Sequence, residues 1–396
     1  MMRRYFLSAQ NTLVPIATSF FVIPFLINLE GIEVWQSITI GQGVGLLFAE
    51  IVQGSWNQLG PRIGLNNPTK LHCFYSLSLR ERQRRFVLCG LIGALTIPLV
   101  CQSNLVFAEI SFFIWLMNGL NAHWITLGSG DGLYTLKFFT IPRTIATVLG
   151  MALSYVFDTL FVFLILIFLT NVFSIISLKI SSSLNTQQFD IRRIIDRKQR
   201  FTNTLNNLIG AGNSWFLLIL VNLLYQNGDL EISILIRYSE FAFALMLVIP
   251  QLNHATLIQK ARRPSRIFQT NVAQAIVIVI VFSAFFPAVS EHIFGVAPQG
   301  SFWPSFSFLC VVFLRAMLTL YIQDLLIPLA KFSEIFKLHL LVSCSYLASS
   351  LLVKVSNSDW QILPIIVGGI ISLGFIMSLF RNRNSLSQYV GDEHFD

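Results

Sequence analysis

Residues 142–178 read PRTIATVLGMALSYVFDTLFVFLILIFLTNVFSIISL, a run in which only Arg143 and Asp158 carry charge. Whether it forms one helix or two decides the orientation of everything that follows. As one helix, its 37 residues would extend roughly 55 Å at about 1.5 Å per residue. A bilayer core is only about 30 Å thick and is crossed by about 20 apolar residues. Two short helices, turning at Asp158 and Thr159, fit that thickness. One does not.

The same criterion, worked outward, gives twelve spans. Six lie near 5–28, 37–57, 86–102, 105–125, 142–157 and 160–178. The other six lie near 203–225, 232–253, 271–294, 303–328, 335–353 and 360–380. Composition agrees: 54% of residues are hydrophobic, 12% are charged and mean hydropathy is +0.68. A soluble domain carries about 25% charged residues to solvate its surface. This chain has half that share, so lipid covers much of it. The expected fold class is an all-α polytopic membrane protein.

The cations test the count independently. With the N-terminus inside, 24 of the 27 lysines and arginines fall in the tails and even-numbered loops, as the positive-inside rule requires. Lys354 lies outside, and Arg237 and Arg315 lie within spans. Dropping one span would reverse every later basic cluster. Both termini are therefore expected in the cytoplasm. Trp35, Trp56, Trp124, Trp303 and Trp360 fall at span ends, where amphipathic rings prefer the headgroup level. The net charge of +8 is then a topology signal with attraction to anionic lipid, and no nucleic acid is needed to explain it.

Several chemistries find no support. The five cysteines are scattered without a CxxC, and no HExxH occurs, so no disulfide framework, metal site or cofactor is expected. No GxxxxGK[ST] phosphate loop is present. The outer loops are short, which disfavours an external catalytic domain. The first span lacks a small-residue cleavage site before NLEGIEVW, so it is expected to remain uncleaved.

The basic stretch KISSSLNTQQFDIRRIIDRKQR (179–200) divides the chain. The expected organisation is a six-helix lobe over 1–190, a second over 191–380 and a cytoplasmic tail over 381–396. The leading spans of the halves resemble each other, FLSAQNTLVPIATSF against FTNTLNNLIGAGNSWF. Repeats related by an axis along the membrane normal are a known transporter plan, with substrate held between the halves. Gln10 and Asn11, with Asn206 and Asn207, are the matched polar positions. They line a cavity or, as the plainer alternative, hydrogen-bond between helices.

Two longer segments carry a resemblance. HWITLGSGDGLYTLKFFTIPRTIATVLGMALSYVF (123–157) supplies Trp124, Gly128, Pro142 and Arg143. EGIEVWQSITIGQGVGLLFAEIVQGSWNQLGPRI (30–63) supplies a glycine-spotted helix closed by Gly60, Pro61 and Arg62. RYSEFAFALMLVIPQLNH (237–254) ends its span near Pro250. Together these resemble the polysaccharide repeat-unit flippases of the multidrug/oligosaccharidyl-lipid/polysaccharide (MOP) exporter superfamily. The resemblance implies a flippase in the bacterial cytoplasmic membrane, not an enzyme. By alternating access it would move a polyprenyl-pyrophosphate-linked oligosaccharide from the inner to the outer leaflet. It implies partners in a polysaccharide polymerase and glycosyltransferases of the same pathway, and a proton or sodium ion as coupling cation. A cation-coupled multidrug exporter of the same superfamily is the alternative. A membrane-embedded glycosyl or acyl transferase, with Glu109 or His123 as its acid or base, is the more distant one.

The charges within spans are the candidate site. A charge at a helix centre costs about 2.5–3.5 kcal/mol on insertion scales and usually faces a cavity or a partner. Arg315 lies twelve residues past Trp303, about 18 Å deep, too far to snorkel. Arg237 lies roughly 8 Å inside its span, with Glu240 one helical turn on. The two either pair with each other or meet substrate, since arginine's planar fork suits a pyrophosphate. Glu50, Glu109 and Asp324 are the candidates for a cation or for pairing an arginine.

Overall fold

The computed structural model describes residues 24–56, 71–101, 104–121, 136–183, 264–294, 302–322, 332–356 and 363–391. It also describes 22, 201–202, 204–206, 208–209, 234, 238, 241–243, 245–246 and 326. Among the described residues every regular element is a helix. The chain forms two compact units, Met1–Trp215 and Phe216–Asp396. Residues 201–209, which the sequence assigns to the second lobe, fall in the first unit.

In the first unit the helices are α1 (Ile32–Gln53), α2 (Leu71–Val100), α3 (Leu105–Leu116), α4 (Ile141–Phe157) and α5 (Phe161–Ser183). A 3₁₀ turn, Met117–Leu120, continues α3, and a π turn, Leu136–Thr140, leads into α4. The expected break near Asp158 is present. Asp158 adopts the left-handed conformation at φ 51°, caps α4 and lets the chain reverse into α5. The Leu160 amide donates to the Glu30 carboxylate at 3.2 Å, which ties this turn to the end of the first span.

α1 and α3 pack in parallel, in one register from end to end. The Asn104 amide donates to the Ser37 hydroxyl, 67 residues away. Gly41 then faces Ala108, Gly45 faces Phe112 and Gly119 faces Val52. A Cβ on Gly45 would stand 2.6 Å from the Phe112 carbonyl oxygen, so only glycine permits this approach. The Ser111 hydroxyl donates to the Ile38 carbonyl at 2.8 Å, and the Gln53 amide donates to the Asn118 carbonyl at 3.0 Å. These bonds lock the pair along its length.

The basic run at 80–85, which the sequence reading places in a cytoplasmic loop, lies instead inside the continuous helix α2. Arg82 is fully buried. Its guanidinium donates to the carbonyls of Leu120 (3.0 Å) and Asn121 (2.9 Å), and to the Ser78 hydroxyl (3.1 Å). Those carbonyls close the C-terminal end of the α3 segment, where a helix leaves acceptors without intrahelical partners. A hydropathy criterion reads an arginine run as loop; here the cation is needed inside.

The second unit contains α6 (Pro264–Phe294), α7 (Phe302–Tyr321), α8 (Phe332–Ser356) and α9 (Leu363–Gly391). α9 runs on as helix through residues 381–391, into what the sequence reads as tail. Arg381 meets the Glu334 carboxylate at 3.0 Å. α7 and α9 are parallel: the Tyr321 hydroxyl meets Ser378, 57 residues on, and Gly368 lies against Val311. The same spacing joins α3 to α5, where Asn171 donates to the Ile114 carbonyl.

Among the described residues three segments are long and apolar enough to cross a membrane: Ser78–Val100, Leu136–Phe157 and Val272–Val289. On α2, Val87, Leu91, Leu95 and Leu99 form one exposed stripe, each more than 60% accessible. Arg82, Cys89 and Ile97 form the buried one. An apolar outer face around a polar-bonded interior is the pattern of a chain solvated by lipid. The protein is a multi-pass membrane protein.

Candidate functional site

Among the described residues of the second unit the one buried charge is Arg315, fourteenth residue of the 20-residue helix α7. It is 7% exposed and surrounded along its helix by Val311, Val312, Ala316 and Leu318, all buried. Its guanidinium carbon stands 4.3 Å from the centre of the Phe243 ring. Tyr238 and Phe241, described residues of the same stretch, place that ring. The Tyr238 hydroxyl donates to the Phe282 carbonyl of α6 at 3.0 Å. The Tyr238 ring also packs 4.9 Å from Phe282 and 5.3 Å from Phe286. Phe241 lies 5.6 Å from Phe282. This segment therefore anchors on α6 through Tyr238 and Phe241, and presents Phe243 to α7.

α8 contributes His339 from its buried stripe of Ile335, Leu338, Val342 and Tyr346. His339 lies within the electrostatic reach of Arg315. A cation and an aromatic face thus meet from two helices, with the His339 imidazole on a third. A ring stacked on a desolvated guanidinium contributes about 2 kcal/mol. It covers the face of the group and does not compete for the in-plane N–H donors that grip phosphate or carboxylate oxygens.

The other sequence candidates distribute as follows. Arg237, Glu240, Asp324, Gln10, Asn11 and Asn207 lie outside the described residues. Asn206 is fully buried, and Glu50 and Glu109 are half-buried; all three belong to the first unit. The α1–α3 register sets Glu109 level with Gln42, about 12 Å along the axis from Glu50. The structure does not bring those two carboxylates together. The burial of Arg315 agrees with its depth in the sequence; its neighbours Phe243 and His339 were not singled out, because an aromatic or a histidine within a span carries no signal until a partner helix is placed. Sequence reasoning also missed the burial of Arg82. The recoverable clue there was Ser78, one turn before Arg82 on the same helix face.

No family model matches this chain, and no curated protein does. Solved structures do. The MATE transporter ClbM in complex with Rb+ is 16% identical, with a TM-score of 0.64 over 98% of this chain and 97% of that one. The MATE multidrug transporter DinF-BH in complex with rhodamine 6G is 16% identical, with a TM-score of 0.61 over 95% and 94%. A MOP superfamily transporter from Pyrococcus furiosus, described by a reverse polarity of its binding pocket that suggests a different function, is 12% identical. Its TM-score is 0.60 over 98% and 95%. The fold is that of MOP-superfamily transporters, and these structures are transporters, not enzymes.

Proposed function

We propose that the protein is a flippase for a lipid-linked oligosaccharide, and that Arg315 receives the pyrophosphate. The observation that carries the reading is the burial of a guanidinium in the middle of an apolar helix, stacked on Phe243. A charge at that depth opposes insertion, so a chain that keeps one there uses it. Its chemistry favours an anion: the field of a buried cation attracts phosphate and repels a cationic cargo. Fold neighbours include a transporter in an outward-facing and in an inward-facing conformation, which favours alternating access, and the spacing shared by α3–α5 and α7–α9 supports two related lobes. On this reading twelve spans lie in a bacterial cytoplasmic membrane with both ends inside. Arg237 extends the anion site, Glu240 orients its guanidinium or holds its charge while the cavity is empty, and a pathway polymerase takes the product.

A second reading, a cation-coupled multidrug exporter, is favoured by the fold neighbours, whose structures hold Rb+ and rhodamine 6G. Cation cargo calls for carboxylates, and Glu50, Glu109 and Asp324 are the candidates. Replacement of Arg315 separates the readings in cells. Arg315→Ala abolishes surface polymer under the flippase reading while the protein still accumulates in the membrane. Dye resistance that falls with Glu50→Gln, with surface polymer untouched by Arg315→Ala, selects the exporter.

A further inference from the structure

Arg82, Arg85 and Arg143 are the buried or half-buried arginines among the described residues of the first unit. Arg82 is filled by carbonyls and a hydroxyl. Arg85 pairs with Glu81 and reaches the Ile51 carbonyl. Arg143 differs. Its guanidinium carbon stands 4.5 Å from the centre of the Trp115 ring of α3. Among the described residues no carboxylate, carbonyl or hydroxyl takes its N–H donors.

Its direction is also informative. Arg143 shares a helix face with Thr147, Gly150 and Ser154, the buried stripe of α4. Ile145, Val148, Leu149 and Val156, on the opposite face, are exposed. Arg143 therefore turns into the unit and away from the surrounding lipid. The π turn Leu136–Thr140 stands directly before this helix, where the widened ladder lets the Phe138 carbonyl accept from the Ser174 hydroxyl at 2.7 Å. Turns of this kind concentrate at functional sites. An inward guanidinium over an indole ring, with its donors unfilled among the described residues, is half of an anion site.

We propose that Arg143, held on Trp115, is a phosphate-binding subsite of the first unit, separate from Arg315. Two sources offer that chemistry: phospholipid of the bilayer and the pyrophosphate of a lipid-linked cargo. The inward face assigns the second, and this assignment rests on the flippase reading above. The subsite would hold the headgroup at one stage of its passage, and Arg315 at another.

The test is binding of farnesyl pyrophosphate by the full chain in phosphatidylcholine nanodiscs. Arg143→Gln weakens binding by about tenfold to a hundredfold, the scale of lost charge-assisted hydrogen bonds. Arg143→Lys falls between, because it keeps the charge without the fork. Arg143 makes no side-chain hydrogen bond within the described fold, so neither variant breaks one. Both should elute with the wild-type profile. Retention of phosphatidylglycerol by the purified protein, counted by native mass spectrometry, is the second arm and stays unchanged. Unaltered affinity in Arg143→Gln, with loss in Arg315→Gln, overturns the subsite and leaves the flippase reading standing. Phosphatidylglycerol retention lost in Arg143→Gln, with no farnesyl pyrophosphate bound by the wild type, overturns the cargo assignment. Wild-type protein that binds neither probe overturns both proposals.

Discussion

Replacing Arg82 with alanine tests how the first unit is held together where α2 meets the C-terminal end of the α3 segment. The side chain is fully buried and makes three bonds of 3.1 Å or less, to Leu120, Asn121 and Ser78. Alanine removes a charge-assisted donor and leaves two carbonyls in a dry interior. Hydrogen bonds to charged groups contribute about 1.5–3 kcal/mol each, and an unsatisfied buried acceptor costs about 1–3 kcal/mol. These terms overlap, so the expected loss is about 3–5 kcal/mol, the range for breaking a buried charged contact. For a unit of this size, each kcal/mol moves the midpoint by about 2–4 °C. Arg82→Ala should therefore lower the apparent unfolding temperature of detergent-solubilised protein by roughly 6–20 °C at a fixed scan rate. Arg82→Lys should recover part of the loss by reaching one carbonyl. Arg84, exposed on the same helix, is the control, and its alanine variant should stay within about 0.5 kcal/mol of wild type. Equal midpoints for Arg82→Ala and Arg84→Ala would refute the buried clasp.

Other outcomes follow from the packing. Gly45→Leu should cost about 1–3 kcal/mol or more through overpacking against the Phe112 carbonyl, whereas Gly369→Ala, with open space around it, should be neutral or gain about 0.5–1 kcal/mol; thermal midpoints of the pair check this. Asp158→Gly should leave stability level or raise it slightly. Asp158→Val should lower it by about 1–2 kcal/mol, since a β-branched residue resists the left-handed conformation at φ 51°. Cysteine at Ser358 should label from outside intact cells and cysteine at Ser182 only after permeabilisation. Outside labelling at Ser182 would contradict both ends lying inside.

The parts legible in the sequence were those governed by length and local chemistry. The thickness of a bilayer forces a break in residues 142–178, and Asp158 provides it because aspartate tolerates the left-handed region. Arg315 could be singled out because its depth defeats snorkelling. What stayed hidden depends on partner helices. Gly41 and Gly45 read only as small residues until α3 lies against them. Phe243 is one phenylalanine among 36 until α7 places a cation on its face. Arg82 was misread for a physical reason: hydropathy scores a buried arginine as if it met water, although three acceptors, two of them from a neighbouring segment, replace that water.

The central claim is that an anionic lipid headgroup crosses by way of Arg315. The direct measurement is transbilayer movement in liposomes holding the purified chain. A fluorescent prenyl-pyrophosphate oligosaccharide is loaded in the inner leaflet and read by an impermeant lectin outside. The wild type should deliver it to the lectin, and Arg315→Ala should slow delivery by about tenfold to a hundredfold. Arg315→Lys should fall between, and rhodamine 6G should not move under a proton or sodium gradient. Rhodamine transport coupled to such a gradient, with the pyrophosphate lipid left in the inner leaflet, would contradict the account.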